Sequence, residues 1–439
     1  MFTAATAAAL AGPDWLRDRR VAAAEQFAAA ELPSVSEEVW RYSRVADLDL
    51  AAWSPATGGD APSSPAVDNV LDGAAVTVTV LDGAVSISDL PAEWAARGVV
   101  VAAASTLDQE AATGLGSVSG GGPDVFATLN DAFALDPIVI SVPRGIRLDA
   151  PILVTNHIAT AGTAVFPRLV VLLAEGAEAT VVDHISSGPD AVLSVPLTEL
   201  DVGRGARLGY LHIQELGPAG WQLGSLVARV GQEADLEAGL VGLGGSYARI
   251  RTDCTMAGRG SSGELLAAYF GEGDQTLDFR TFQYHDAPDT TSNLLFKGAV
   301  GGHSRSVYTG LIRVDKEARG TNAFQTNRNV KLSETAWAES VPNLGRSHPR
   351  RSRRPPPVGR PRRRRRLRDR RQLHPRRLLA ERGRGRRRHL SHRVLEARQL
   401  VLVGDRRARR LPGHPARARL RGARGRGRRG GHPVRPRRR

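Results

Sequence analysis

Cysteine is almost missing from this chain of 439 residues: Cys254 is the only one. No disulfide can form within the chain, a usage that fits a reducing cytoplasm. Long apolar runs are missing too. None reaches the roughly 18 residues that a membrane-spanning helix requires, so no membrane partner is expected. The opening "MFTAATAAALAGPDW" has no basic start and runs into a helix signal, so it does not read as a signal peptide. Aromatic residues make up only 5% of the chain.

The most informative absences lie at the end. Residues 345–439 contain no Lys, Phe, Tyr, Ile, Asn or Trp, yet hold 38 Arg and four acidic residues. Residues 1–344 hold 23 basic and 41 acidic residues. The net charge of +16 therefore averages an acidic body and a very basic tail. An arm selected for nucleic acid normally mixes Lys with Arg and supplies aromatics on which bases stack. The absent residues share AT-rich codons, whereas Arg, Pro, Gly, Ala and His are what a GC-rich gene yields out of frame. The tail reads as a frameshift product after Leu344, disordered for want of an apolar core. A real basic tail is the competing reading. In either case the charge would hold nucleic acid only non-specifically.

Residues 13–50 have a helical pattern. Pro13 suits a first turn, with Trp15, Leu16 and Phe27 as one candidate buried face. Ser34 to Glu37 has capping-box spacing, and residues 54–68 read as linker. From about 75 to 340, short Val/Ile/Leu runs alternate with Gly, Asp and Asn, and no long helical period interrupts them. Turns such as "EGAEAT" and "GRGARL" recur at loose spacings of roughly 20–30 residues. Such a pattern predicts a β-solenoid whose rungs stack over a continuous core. In "TNAFQTNRN", Asn322, Gln325, Asn327 and Asn329 are expected to stack between rungs and satisfy turn backbone groups.

The stretches "DTTSN", "YTGLIRV", "TNAFQTNRNVKLS" and "AESVPNL" within 284–344 resemble the SufB/SufD family of iron–sulfur cluster assembly proteins. "EEVWRYS", "FATLNDAF", "ISVPRG" and "APILV" extend the likeness over about residues 10–344. The start and the shorter length are more similar to the SufD branch. The resemblance implies a right-handed parallel β-helix after a helical N-terminal region. It further implies a non-catalytic scaffold subunit that works in the cytoplasm with a SufB-like paralogue and a SufC-like ATPase. An iron–sulfur cluster would be held transiently by the complex. The expected division is 1–70 helical region and linker, 71–344 β-helix and 345–439 aberrant tail. The family pattern breaks at Gly345, so the histidine motif and the helical segment that docks the ATPase are lost. His348 does not take that histidine's place. A β-solenoid binding protein with a nucleic-acid-binding tail is the alternative from another class.

Few residues invite chemistry. Cys254 is a candidate sulfur acceptor or ligand, though a small buried residue is the default for it. A cluster takes several thiolates, so one cysteine cannot hold one unaided. His285 and His303 lack partners at metal-ligand spacing, and turn or surface roles are expected for them. Asp274, Asp278, Asp286 and Asp289 read as solvated turn residues. The Gly-rich "GLVGLGGSYARI" has no Lys-Ser/Thr and is no phosphate-binding loop.

Overall fold

Corners set the repeat. In a computed structural model that describes residues 1–59, 71–110, 112, 114–120 and 122–346, Gly145, Gly176, Gly205, Glu233, Gly260, Asp289 and Gly320 all have positive φ, between 56° and 77°. The amide of each of the first six donates to the residue before the next: Gly145 to Glu175, Gly176 to Arg204, Gly205 to Gln232 and so on to Asp289 and Arg319. One left-handed residue per turn is thus stacked into a backbone ladder, which is why a Gly recurs at that place. A second corner is tighter. A Cβ on Gly217 would lie 1.7 Å from the carbonyl oxygen of Gly188.

Between corners, consecutive strands alternate between two parallel sheets. Arg207 lies beside Glu178, Asp235 beside Arg207, Ser262 beside Asp235 and Thr291 beside Ser262, so one turn takes 27–29 residues. One sheet runs in the order Ile138–Val142, Arg168–Leu173, Leu197–Val202, Trp221–Val230, Tyr247–Met256, Thr276–His285, Arg305–Val314, Trp337–Arg346. The other runs Val76–Leu81, Ile152–Ile158, Glu178–Ser187, Arg207–Glu215, Asp235–Gly242, Ser262–Gly271, Thr291–Val300, Asn322–Lys331. This is the β-solenoid that the short strands and repeated turns predicted. Side chains alternate in and out, so Leu200, Leu226, Leu208, Leu236, Leu265 and Leu294 share one buried core.

At the N-terminal end each sheet receives one antiparallel strand. Ala84–Ile87 folds back on Val76–Leu81 through Asp82 and Gly83, both at positive φ, and Val100–Ala103 pairs with Ile138–Val142.

Helices before the solenoid include Asp14–Ala28, with Pro13 as its N-cap rather than inside its first turn. Leu16 packs with Leu115 and Val170, while Phe27 belongs to a different cluster around Trp40 and Phe126, so the expected single face is divided. Ser34 and Glu37 make half of a capping box: the Ser34 amide donates to Glu37 Oε1 at 2.9 Å. It precedes a 3-10 turn, Glu38–Trp40.

The run of strands over 75–340 is interrupted by two short helices, Ala92–Ala96 and Val125–Phe133, the second capped by Asp124. Seven of its nine residues are buried, and nine residues are too few to give a long helical period. Arg20 crosses from the first long helix to its end, donating to the carbonyls of Ala134 and Leu135 and, at 2.7 Å, of Ala11. Burial lowers the Arg20 pKa to about 10, against the pull of Asp136. The last strand continues through Gly345 and Arg346, past the expected break. Residues 60–70 of the linker and 347–439 of the tail, His348 among them, lie outside the described residues.

Candidate assembly face at the last turn

The last turn is unlike the others. Among the described residues, Asn322–Lys331 and Trp337–Arg346 are paired along one edge only. Their outer edges present backbone donors and acceptors to any chain that can add a strand. Exposed apolar side chains gather here: Phe324, Val330, Leu332 and Leu344, the last 72% exposed.

The interior changes character at the same place. One inward row is apolar up to this point: Val181, Tyr210, Ala238, Leu265 and Leu294. The next residue in that register is Gln325. Asn327 follows Phe296, and Asn329 follows Gly298. Contrary to the expectation from the sequence, the partners of these amides are tyrosines rather than turn backbone groups. Tyr308 donates to Gln325 Oε1 at 3.1 Å, Tyr269 donates to Asn329 Oδ1 at 2.8 Å, and Asn327 donates to the Tyr269 oxygen at 3.0 Å. Asn322, three positions before Gln325, falls on the opposite face of the strand. The amide row therefore ends the core with groups that water or a partner can meet, and tyrosines carry the change from apolar to polar.

Cys254 is fully buried in the core, its Sγ 3.7 Å from Met256 Sδ. Burial, then the neighbouring Asp253 charge, pushes its thiol up to about 12. A thiol so protonated is a poor nucleophile and a poor ligand. Gln283 is its cross-strand neighbour and leaves both amide atoms without a partner. His285 is buried, with Nδ1 2.8 Å from Thr290 Oγ1 and Nε2 2.9 Å from Ser292 Oγ. Burial lowers its pKa to about 4. His303 is exposed, 3.9 Å from Asp274. Among the described residues no three His, Cys, Asp or Glu side chains are grouped as metal ligands would be.

Asp278 overturns its reading as a solvated turn residue. It is fully buried on the Thr276–His285 strand, between Arg249 Nη1 at 3.1 Å and Arg280 Nε at 2.5 Å, and it accepts from the Tyr247 hydroxyl at 2.9 Å. Burial alone would raise its pKa, but the two guanidinium groups hold it below the usual carboxylate range. Asp289 occupies a corner and pairs with Arg259. Two more buried groups escaped the sequence reading. Glu199 pairs with Arg168 and accepts the amides of Gly116, Val118 and Ser119. Asp183 accepts from Tyr210 at 3.0 Å and meets His212 Nδ1 at 3.0 Å. Each pairing spans one turn or a long loop, so only the phase of the repeat could have signalled it.

The comparisons with known proteins fall on this solenoid. Residues 156–347 match the family described as SUF system FeS cluster assembly, SufBD core domain. An iron-sulfur cluster assembly SufBD family protein of Mycobacterium leprae is 33% identical over 214 residues, 47% of this chain and 54% of that protein. The chloroplastic protein ABCI7 of Arabidopsis thaliana is 26% identical over 342 residues, 74% of this chain and 71% of its own length. A SufBD family protein of Synechocystis is 23% identical over 346 residues, 75% of this chain and 76% of its own. The chain spans about half the length of the mycobacterial relatives it matches. The matched residues run from within the strand Ile152–Ile158 to the last turn, and over that stretch the chain is similar to the SufBD core domain.

Proposed function

We propose that this chain is a SufD-like, non-catalytic scaffold subunit of a cytoplasmic complex that assembles iron–sulfur clusters. Its open last turn is the surface that pairs with a SufB-like paralogue. One observation carries the reading: the SufBD core match ends at 347, on the turn whose edge strands lack a second neighbour among the described residues. Exposed Phe324, Val330 and Leu344 suit a partner that covers apolar surface. The cluster is cargo shared with the partner, since the single thiol is buried and held protonated.

The Arg-rich residues from 345 onward are out-of-frame translation, which removes the segment that recruits a SufC-like ATPase. Affinity of the tail for nucleic acid is then charge alone and independent of base sequence. The experiment is co-expression with SufB-like and SufC-like partners, comparing the chain as written with one whose reading frame is restored after Leu344. The written chain is expected to retain weak pairing with the SufB-like protein, to fail to capture the ATPase and to support no cluster assembly. The restored chain is expected to pair firmly, to capture the ATPase and to support assembly. If the written chain captures the ATPase and supports assembly as well as the restored one, the tail is native and this reading is wrong.

A further inference from the structure

We infer that residues 38–44, "EVWRYSR", form a clasp that ties the N-terminal helical region to the open last turn and governs how firmly that turn is held. The segment is short, yet it touches four strands of one sheet and, through Arg280, reaches a fifth. Arg44 lies over the Trp221 ring at 5.0 Å and reaches the carbonyl oxygen of Ser246 at 3.3 Å. Trp40 is buried between the Arg249 guanidinium, 3.8 Å from its ring centroid, and Phe126 at 5.4 Å. Arg280 donates to the carbonyl oxygen of Arg41 at 2.7 Å and to Thr309 Oγ1 at 2.7 Å. Tyr42 sets its ring edge-on to Trp337 at 5.6 Å. The segment's own contacts fall on the strands Trp221–Val230, Tyr247–Met256, Thr276–His285 and Trp337–Arg346, and Arg280 extends them to Arg305–Val314.

Charge explains why backbone carbonyls can do this. Arg249 and Arg280 share one carboxylate, Asp278, so the buried group carries one positive charge in excess. The carbonyl oxygens of Val39 and Arg41 accept the guanidinium protons that Asp278 leaves over. Lifting the segment returns those protons to water, so the clasp can open without stranding a charge in an apolar interior.

Tyr42 is its weak point. The residue is 47% exposed and has φ 66°, a conformation that a bulky side chain adopts only when its surroundings impose it. What holds it is Trp337, the first residue of the strand with an unpaired edge. Order in the clasp and order in the last turn are therefore linked, and linkage acts in both directions. The tie to partner binding rests on the proposed function, but the coupling itself is a property of the isolated chain.

Hydrogen exchange on the full chain without partners tests it. Tyr42→Gly relieves the backbone strain and deletes the ring. It is expected to speed exchange of the Trp337–Arg346 amides about three- to tenfold while leaving Arg168–Leu173 unchanged. Tyr42→Phe should behave as the native chain. In the reciprocal arm, Trp337→Ala should speed exchange of the Trp40, Arg41 and Ser43 amides, which bond to Glu37, Glu38 and Trp40. Unchanged exchange of Trp337–Arg346 in Tyr42→Gly, or of those three amides in Trp337→Ala, overturns the clasp. Either failure leaves the co-expression result untouched, because no partner is present.

Discussion

The two ends of the solenoid solve the same problem differently. Stacked strands always leave a last edge with unpaired backbone groups. At the N-terminal end the chain turns back, and one antiparallel strand per sheet covers the edge. At the C-terminal end the described residues supply no such strand, and Leu294, Phe296 and Gly298 are followed in register by Gln325, Asn327 and Asn329. An end closed by its own chain is built for stability. An end with no such strand among the described residues, with a hydrogen-bonded polar interior and exposed apolar side chains at its rim, leaves backbone groups that another strand could pair.

Four predictions press on this contrast. The largest effect is expected at Asp278, beneath the clasp. Asp278→Ala leaves two buried guanidinium groups without their carboxylate and should cost about 3–5 kcal/mol in urea or thermal unfolding. A loss below ~1 kcal/mol would mean that Arg249 and Arg280 are solvated as readily as surface residues. Next, Leu200→Ala in the closed part of the core should cost about 2–5 kcal/mol. Leu344→Ala, at the open rim, should change stability by no more than about 0.5 kcal/mol. Equal losses at the two leucines would erase the distinction between the ends.

The third concerns pH. His285 has a folded pKa lowered from 6.5 to about 4, so between those values the unfolded chain binds the proton and the folded chain does not. Its contribution is therefore fully present above pH ~6.5 and is lost as the pH falls toward 4, by up to about 3 kcal/mol. His285→Gln should flatten the stability profile in that window, and a slope identical to that of the native chain would show that another group titrates there. The carboxylates of Asp278 and Glu199, both lowered, act further down, losing their contribution as the pH falls below the ordinary carboxylate range. The smallest effect is expected for Tyr269→Phe, which removes the hydroxyl bonded to Asn329 and Asn327 and should cost about 1 kcal/mol. Calorimetry showing no loss would mean that water replaces the tyrosine in the open mouth.

Much of the architecture was readable from the residues alone. Short apolar runs, their turn signals and the recurring glycine predicted stacked strands, because each corner needs one left-handed residue and glycine adopts that conformation most cheaply. Other features were hidden for definite reasons. The helix Val125–Phe133 has only nine residues, too short a stretch for its period to stand out among the apolar runs. At Glu233 and Asp289 the corner uses a residue other than glycine, which loosened the apparent repeat. The amides of 325–329 read as a turn-satisfying ladder, but their partners are tyrosines on other strands, up to 60 residues away.

By itself the sequence determined that short strands stack with turns recurring at loose spacings, and the resemblance to a cluster-assembly family, both of which depend on residues near one another in the chain. Tertiary structure alone decided which charges are buried together. Val39, Arg249, Asp278 and Arg280 meet because the coil returns every 27–29 residues and lays distant strands side by side, and because the N-terminal segment crosses them. A carboxylate in a Gly- and Asp-rich stretch looks solvated until the register places two guanidinium groups against it, and no local pattern encodes that register.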